Sequence, residues 1–393
     1  MRIAELATRY PPGPGGVERH VEALSRELVG LGEQVDVFTS ELLTEFPWQP
    51  LGPEIPREET LQGIRIHRRP VWSLPGGLHY TFFRGLEKSL AASSPDLLHA
   101  HTYGTNQTTV ARRYHRRTRT PYVITAHFHP IWSIYGGWLR HRLRSFYDHA
   151  LAASTLREAS RVIVQGAEEE RLLRTDHPDL PPVVRIPPGR TPLPDPLPDP
   201  NAFRQRFELP GPFLLFVGRL ASNKGLEPLV DAFLPLSRSD PSATLVLAGA
   251  DGGMRARVEQ RIQRAGVTGR VRVVGYVEDE RLLASGLKEA RLLVLPSEYE
   301  AFGLVLLEAL FQGTAVVASR VGGMPEVLDE GKAGRLVPPL DVSALGQALL
   351  ELWHDPAERE RLVAYGRSHV LPRYTWPEVA RSVRAVFREV VGS

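Results

Sequence analysis

The chain has 393 residues, of which 42% are apolar and 24% are charged, as in soluble globular proteins of two or three domains. It contains no cysteine, which excludes disulfides, thiolate metal sites and a cysteine nucleophile, and its net charge of +3 is too small to indicate a nucleic-acid partner. No apolar run approaches the ~18 residues that span a bilayer, and the N-terminus has the pattern of a strand rather than of a signal peptide. We therefore expect a cytoplasmic protein that binds no nucleic acid.

Short β-rich runs alternate with helical patterns along the whole chain. In the first half, strands are predicted at residues 2–8, 34–40, 63–70, 96–101, 121–127, 161–166 and 183–187. In the second half they are predicted at 213–218, 243–249, 271–276, 290–296, 314–319 and 334–337. This alternation predicts right-handed βαβ units and mostly parallel sheets, that is, two doubly wound Rossmann-like α/β domains.

A proline-rich segment separates the two halves. From residue 192 to residue 200 every second residue is proline, which excludes helix and sheet and predicts an extended linker at 189–200. We therefore expect an N-terminal domain at 1–188 and a C-terminal domain at 201–375. The carboxyl ends of their strands are predicted to face each other across a cleft, where ligands of doubly wound folds bind.

The segment at residues 296–310 carries the most specific chemistry. Glu300 and Glu308 are separated by seven residues, at the junction of a buried strand and an apolar helix pattern. We expect Glu300 in the loop and Glu308 inside the helix, with the first-turn backbone N–H groups of Phe302, Gly303 and Leu304 between them. Carboxylates suit sugar hydroxyls and a helix N-terminus suits phosphate, so this segment predicts a nucleotide-sugar pocket.

Five further motifs follow predicted strands. They are the glycine loop at 13–18, the histidine segment at 127–129, the basic loop at 218–225, the glycine turn at 249–253 and the segment at 322–326. In this order the set resembles the retaining GT-B glycosyltransferases of family 4. The resemblance implies transfer of a hexose, with retention and without a cofactor or a metal, from a donor of the UDP-glucose or GDP-mannose type. The implied acceptor is a hydroxyl of a glycan, a lipid-linked molecule or a small molecule.

The resemblance also implies roles for individual residues. Arg219 and Lys224 are expected to hold the diphosphate, and Glu308 the ribose. Glu300 is expected to hold the transferred sugar, aided by the backbone of residues 302–304. In the first domain, the resemblance implies that the backbone at Gly15 and Gly16 approaches the phosphate and that His127 lies near the reacting centre. The residues expected to act in catalysis are His127, Arg219, Lys224 and Glu300.

Some positions leave alternatives open. His129 is a second candidate beside His127, and Pro188 stands where many relatives carry asparagine. The segment at 376–391 is predicted to be helical and to pack back on the N-terminal domain, as it does in relatives. Other functions kept open are a nucleotide-sugar epimerase, a phosphorylase and a non-catalytic nucleotide-sugar-binding subunit. The doubly wound pattern disfavours a glycoside hydrolase, and the glycine loop lacks the Lys-x-Gly-Gly form of the glycogen-synthase branch.

An arginine-rich window lies in the first half. Residues 97–147 contain no acid and eight arginines, at 112, 113, 116, 117, 119, 140, 142 and 144. The first five are predicted to form the exposed end of a helix. Residues 132–147 are predicted to form a helix on the acceptor side. Either a peripheral contact with an anionic membrane or a solvated basic face accounts for this charge.

Overall fold

The computed structural model describes residues 1–45, 48–73, 81–128, 152–190, 193–300 and 302–392. The chain divides into two compact units. Unit 1 contains Met1–Gly189 together with Tyr374–Ser393, and unit 2 contains Arg190–Arg373. Each unit is built on one large β-sheet.

The unit 1 sheet has eight strands in the order β12-β11-β10-β9-β1-β2-β6-β5. All its pairs are parallel except β5 with β6. The strands are β1 (Arg2–Leu6), β2 (Gln34–Ser40), β5 (Glu58–Leu61), β6 (Ile64–Arg69), β9 (Leu97–His101), β10 (Tyr122–Thr125), β11 (Arg161–Val164) and β12 (Val183–Arg185). The strand order reverses between β1 and β9, as in a doubly wound sheet, so the predicted fold class is confirmed for this unit.

Four short strands lie beside this sheet in two antiparallel hairpins. β3 (Leu42–Thr44) pairs with β4 (Gln49–Pro50), and β7 (Val71–Ser73) pairs with β8 (Thr81–Phe83). Neither these strands nor β5 were predicted from the sequence. Strands this short contain too few residues to show an alternating pattern.

Helices cover both faces of the unit 1 sheet. They are α1 (Gly16–Gly30), α2 (Leu86–Ser93), α3 (Asn106–Thr118), α4 (Ala153–Arg157) and α5 (Ala167–Asp176). Successive strand residues point to opposite faces, so Ile3 packs in one buried cluster while Ala4 and Leu6 pack in the other. The two clusters form the two layers of the core.

Unit 2 has six parallel strands in the order β15-β14-β13-β16-β17-β18. The strands are β13 (Phe213–Val217), β14 (Thr244–Ala248), β15 (Val271–Gly275), β16 (Leu292–Leu295), β17 (Ala315–Ser319) and β18 (Arg335–Val337). The helices are α6 (Ala202–Arg206), α7 (Leu226–Ser239), α8 (Arg255–Arg264), α9 (Glu280–Glu289), α10 (Leu304–Gln312), α11 (Met324–Val327), α12 (Val342–His354) and α13 (Pro356–Tyr365). The order reverses between β13 and β16, which again gives the doubly wound topology.

The last helix, α14 (Trp376–Gly392), belongs to unit 1 and packs on α1. Its buried side chains include Val379, Val383 and Phe387, which recur at helical spacing and join one layer of the unit 1 core. The proline-rich segment belongs to unit 2 from Arg190 onwards, and there Leu197 donates its backbone N–H to Ser285 Oγ at 2.9 Å.

The exposed end of α3 carries the first arginines of the basic window, as predicted. Glu158 lies 2.7 Å from both Arg112 and Arg116, and Glu87 contacts Arg113 and Arg117. The hydrogen bonds from Arg112 and Arg116 lower the pKa of Glu158 to about 2. Two acids distant in sequence therefore pair with four of the eight arginines of the window.

The predicted helix at 132–147 and the alternative His129 lie outside the described residues. Within the described ranges, no helix combines the length and the apolar character needed to cross a membrane.

Candidate functional site

In unit 2, the reversal of strand order brings the loop after β13 beside the loop after β16. Lys224, at the end of a short 3₁₀ turn, places its Nζ atom 2.5 Å from Glu300 Oε2. The two side chains are only 16% and 19% exposed. The backbones are joined as well, because the N–H of Glu298 donates to the carbonyl of Asn223 at 2.9 Å. Two residues separated by 76 positions thus form a partly desolvated ion pair at the carboxyl edge of the sheet.

The Glu300 loop depends on two glycines with positive φ. Gly303 has φ 81° and is the residue before the first turn of α10. Gly322, in the loop after β17, has φ 56°, and a Cβ atom there would lie 1.7 Å from the carbonyl oxygen of Glu300. A side chain at either position would be strained or would displace this loop. The predicted glycines therefore let three chain segments meet at Glu300.

Glu308 lies on the second turn of α10 and Glu300 precedes the helix, as predicted. Burial raises the pKa of the Glu308 carboxyl, and the positive charge of Arg190 opposes that effect. The Arg190 guanidinium lies 4.2 Å from the centre of the Phe311 ring. Its Nε and Nη2 atoms are buried without a hydrogen-bond partner in the described part of the chain. The site thus holds two charged groups that are poorly solvated.

Arg190 was not among the predicted site residues. It lies in the predicted linker, although the carboxylate of Glu308 in an apolar helix was a signal that a cation should lie nearby.

Arg219 follows β13 and is exposed. The stem of its side chain passes Gly252, where an added Cβ atom would lie 3.0 Å from Arg219 Cγ. Asp251, in the same turn, accepts hydrogen bonds from the backbone N–H groups of Gly253, Met254 and Arg255. Asp251 therefore caps the start of α8, and the turn presents Arg219 at the same edge of the sheet as Lys224.

In unit 1, the loops after β1 and β9 enclose a cavity of about 330 Å³ at the point where the strand order reverses. Gly15 and Gly16 form part of its wall, and a Cβ atom added to Gly16 would meet no atom within 4 Å. Glu18 pairs with Arg9 at 2.7 Å, and burial raises the pKa of Glu18. The remaining wall is rich in hydroxyl and amide groups, from Thr8, Thr81, Thr102, Thr105, Asn106 and Gln107, and Glu45 adds a carboxylate.

His127 follows β10 in unit 1 and has φ 43°. A non-glycine residue in this region costs ~1–3 kcal/mol and is typical of functional sites. The loop is held by Glu169, whose carboxylate accepts the N–H of Phe128 at 2.6 Å and the N–H of Gln165 at 2.5 Å. The His127 ring is half-buried, with Nε2 3.4 Å from His101 Nδ1 and Nδ1 3.3 Å from Gln165 Nε2.

A buried histidine cluster lies behind His127. Glu5 Oε2 lies 2.7 Å from His101 Nε2 and 2.8 Å from His99 Nδ1, and all three residues are fully buried. Burial acts to raise the pKa of Glu5, but His99 and His101 outweigh it and lower that pKa to about 2. Burial lowers the pKa of His101 to about 4 and that of His20, on α1, to about 3.

This cluster was not predicted from the sequence. The sequence feature that could have indicated the cluster is the spacing of His99 and His101, two residues apart in a buried strand, which places both rings on one face of the sheet.

The predicted residues therefore form two groups. Unit 2 brings together the basic loop, the Glu300 loop and α10, which carry Arg219, Lys224, Glu300, Phe302, Gly303, Leu304 and Glu308. Unit 1 carries Gly15 and Gly16 at its cavity and His127 at the end of β10. Each group lies at the carboxyl edge of its own sheet, where doubly wound folds bind ligands.

Comparison with known proteins gives matches over both units. Residues 15–189 match the model of the glycosyl transferase 4-like domain, and residues 199–369 match that of the glycosyl transferases group 1. Glycogen synthase of Mycobacterium tuberculosis is 30% identical over 407 residues, which cover 98% of this chain and 94% of that protein.

Two solved structures show the same architecture. Sucrose-phosphate synthase from Thermosynechococcus elongatus is 27% identical with a TM-score of 0.74, over 100% of this chain and 99% of that one. The Anabaena HepE protein in complex with UDP-glucose is 20% identical with a TM-score of 0.68, over 99% of this chain and 100% of that one. The chain therefore belongs to glycosyltransferase family 4, is itself a glycosyltransferase, and has the GT-B fold, of which its two units are the Rossmann-like domains.

Proposed function

We propose that the protein transfers a hexose from a nucleoside-diphosphate sugar to a hydroxyl acceptor, with retention of anomeric configuration and without a metal ion. The observation that carries this proposal is the ion pair of Lys224 and Glu300 beside the N-terminus of α10. One pair combines a cation for phosphate with a carboxylate for sugar hydroxyls, within hydrogen-bond distance of each other.

The donor is assigned to unit 2. Arg219 and Lys224 would hold the diphosphate and offset the charge that develops on it as the glycosidic bond breaks. The N-terminus of α10, at residues 302–304, supplies backbone N–H groups for the same anion. Glu308 would accept hydrogen bonds from the ribose hydroxyls, which would compensate for the burial of its carboxylate.

The donor is proposed to be of the UDP-glucose or GDP-mannose type. These contacts involve the diphosphate, the ribose and the sugar, so they serve either nucleotide equally well. The UDP-glucose complex of HepE shows that the GT-B fold can hold such a donor.

The acceptor is assigned to unit 1, whose cavity of about 330 Å³ has carboxylate, hydroxyl and amide groups in its wall. These groups accept and donate hydrogen bonds as a polyhydroxylated acceptor requires, whether it is a glycan, a lipid-linked molecule or a small molecule. Gly16 leaves open space beside the cavity for a phosphate oxygen to reach the backbone. His127 is assigned to the transferred sugar near the reacting centre.

The proposed chemistry needs no protein nucleophile. The acceptor hydroxyl attacks on the face from which the diphosphate leaves, and a donor phosphate oxygen takes the acceptor proton. Lys224 and Arg219 provide the positive charge that other transferases obtain from a metal ion.

A donor panel tests the proposal. UDP-, GDP- and ADP-hexoses are offered to the full chain with a mixed acceptor pool, with and without a chelator, and products are analysed for linkage and anomeric configuration. We expect one donor class to be used, with turnover unaffected by the chelator and with an α-linked product from an α-linked donor. An inverted product, or turnover that stops with the chelator, would contradict the mechanism. Binding of a donor without any transfer or hydrolysis would favour the non-catalytic alternative.

A further inference from the structure

Three histidine rings of unit 1 lie close together around one point. His20 lies on α1, His101 at the end of β9 and His127 after β10. One ring nitrogen from each residue lies within 4.8 Å of those of the other two. The proposed transfer reaction uses only His127 of the three, so the grouping itself is unexplained by that function.

The spacing of the rings is close to that of a metal site. A tetrahedral zinc ion with Zn–N bonds of ~2.0–2.1 Å holds its ligand nitrogens about 3.4 Å apart and their ring centres about 5.2 Å apart. His101 Nδ1 and His127 Nε2 are 3.4 Å apart. The ring centres are 5.1 Å apart for His20 and His127, and 5.7 Å apart for each of the other two pairs. Small side-chain movements would complete this geometry.

The surroundings supply what metal-binding histidines need. Nδ1 of His20 is buried, and no described residue gives it a hydrogen-bond partner. His101 directs its other nitrogen, Nε2, to Glu5 at 2.7 Å, the carboxylate–histidine arrangement that orients a ligand ring and strengthens its bond to a metal. The Gln165 amide, 3.3 Å from His127 Nδ1, can rotate so that its oxygen accepts an N–H from that nitrogen.

We propose that His20, His101 and His127 form a binding site for a divalent transition metal of the zinc type, with Glu5 as the outer acceptor. Imidazole nitrogens select Zn²⁺, Cu²⁺, Ni²⁺ or Co²⁺ over Mg²⁺ and Ca²⁺, which require oxygen ligands. The half-buried ring of His127 provides the entry path. The neighbouring group of Glu5, His99 and His101 lacks such a path, since all three are fully buried and Glu5 Oε2 already contacts both rings.

The consequence for the enzyme is inhibition. A metal ion bound to Nε2 of His127 withdraws that nitrogen from any contact with the sugar. This consequence rests on the role proposed above for His127, whereas metal binding itself does not.

The test is a direct measurement of metal binding by the full-length protein, without donor or acceptor. Chelator-treated protein is titrated with Zn²⁺ against a chromophoric competitor, and with Co²⁺ for its visible ligand-field spectrum. We expect one ion per chain and the intense spectrum of tetrahedral Co²⁺, both unchanged by excess Mg²⁺. His127→Ala removes a ligand from a loop and should weaken Zn²⁺ binding at least ~100-fold, while Glu5→Gln should weaken it ~10–100-fold.

The matched control is His354→Asn, which removes an exposed histidine of unit 2 and should leave binding unchanged. His20→Ala should behave like His127→Ala, and circular dichroism shows whether this buried substitution has kept the fold. The site is refuted if no stoichiometric ion is bound, or if His127→Ala and His354→Asn bind equally. Turnover is measured separately with added Zn²⁺. Binding without inhibition would overturn the proposed consequence and, with it, the role of His127, while leaving the metal site intact.

Discussion

Removal of the Lys224 ammonium should weaken both the fold of unit 2 and the reaction. Lys224 Nζ lies 2.5 Å from Glu300 Oε2, and both side chains are less than one-fifth exposed. A charged hydrogen bond in such surroundings contributes ~1.5–3 kcal/mol, because the carboxylate left behind is poorly solvated. At ~2–4 °C per kcal/mol for a domain of this size, Lys224→Ala should lower the unfolding midpoint of unit 2 by about 3–12 °C.

The effect on turnover should be larger than the effect on the fold. If Lys224 also offsets charge on the leaving diphosphate, its loss should lower kcat/KM by ~10²–10³-fold, as for other preorganised charge-stabilising groups. The assay is initial-rate kinetics with the donor found in the panel, at a temperature where the variant is fully folded. Lys288→Ala is the matched control, because Lys288 is exposed on α9 of the same unit.

A double-mutant cycle with Glu300→Gln separates the two roles of Lys224. If the lysine acted only by holding Glu300 in place, Lys224→Ala would cost nothing further once the carboxylate is gone. We expect a further loss of at least tenfold on the Glu300→Gln background, because the diphosphate contact remains to be lost. The proposed role of Lys224 in turnover is refuted if Lys224→Ala stays within threefold of the wild type in kcat/KM.

Three further predictions concern the other groups. Glu308→Gln should weaken donor binding in calorimetry. The substitution should also raise the free energy of unfolding of the free protein at neutral pH. The folded-state pKa of the wild-type carboxyl is raised, so the stability of the wild-type protein decreases as the pH rises from the unfolded-state pKa to the folded-state pKa. Equal stability of the variant and the wild type at pH 7 would contradict this. In unit 1, burial lowers the pKa of His20 to about 3 and that of His101 to about 4, so the unfolded chain binds more protons between about pH 6.5 and 4. Each histidine should therefore lower the stability against urea by ~1.4 kcal/mol per pH unit as the pH decreases, and His20→Asn should remove the contribution of His20 to that slope. The protein should float with anionic liposomes, and the bound fraction should decrease with salt and when Arg140, Arg142 and Arg144 are replaced. Equal flotation with neutral vesicles would contradict a peripheral membrane contact.

The sheet strands were largely predictable from the sequence, and their parallel, doubly wound arrangement followed from general rules. Runs such as residues 213–217 and 244–248 are apolar, short and separated by helical patterns, which is the signal of buried parallel strands. The hairpins formed by β3, β4, β7 and β8 were missed, because strands of two or three residues have no measurable period.

Contacts between distant residues were less predictable. Arg112 and Glu158, which form an ion pair, are 46 positions apart in the sequence, and His101 and Glu5 are 96 positions apart. These contacts depend on which strands become neighbours: Ile3 pairs with Leu97 in the register of β1 and β9, and this brings Glu5 beside His99. Sequence motifs indicate which chemistry is present, whereas the sheet topology decides which groups meet.

The groups that the fold leaves poorly satisfied give the strongest physical support for a ligand in unit 2. Glu308 carries a half-buried carboxylate whose pKa is raised by burial, and buried nitrogens of Arg190 have no hydrogen-bond partner in the described ranges. Each such group costs ~1–3 kcal/mol in the free protein. A leucine or methionine at either position would remove that cost, so stability alone does not explain the charges. A ligand with hydroxyls for Glu308 and an acceptor oxygen for Arg190 would recover the loss on binding, and a ribose diphosphate has both. Arg190 is accordingly the residue outside the recognised motifs whose substitution should weaken donor binding together with Glu308.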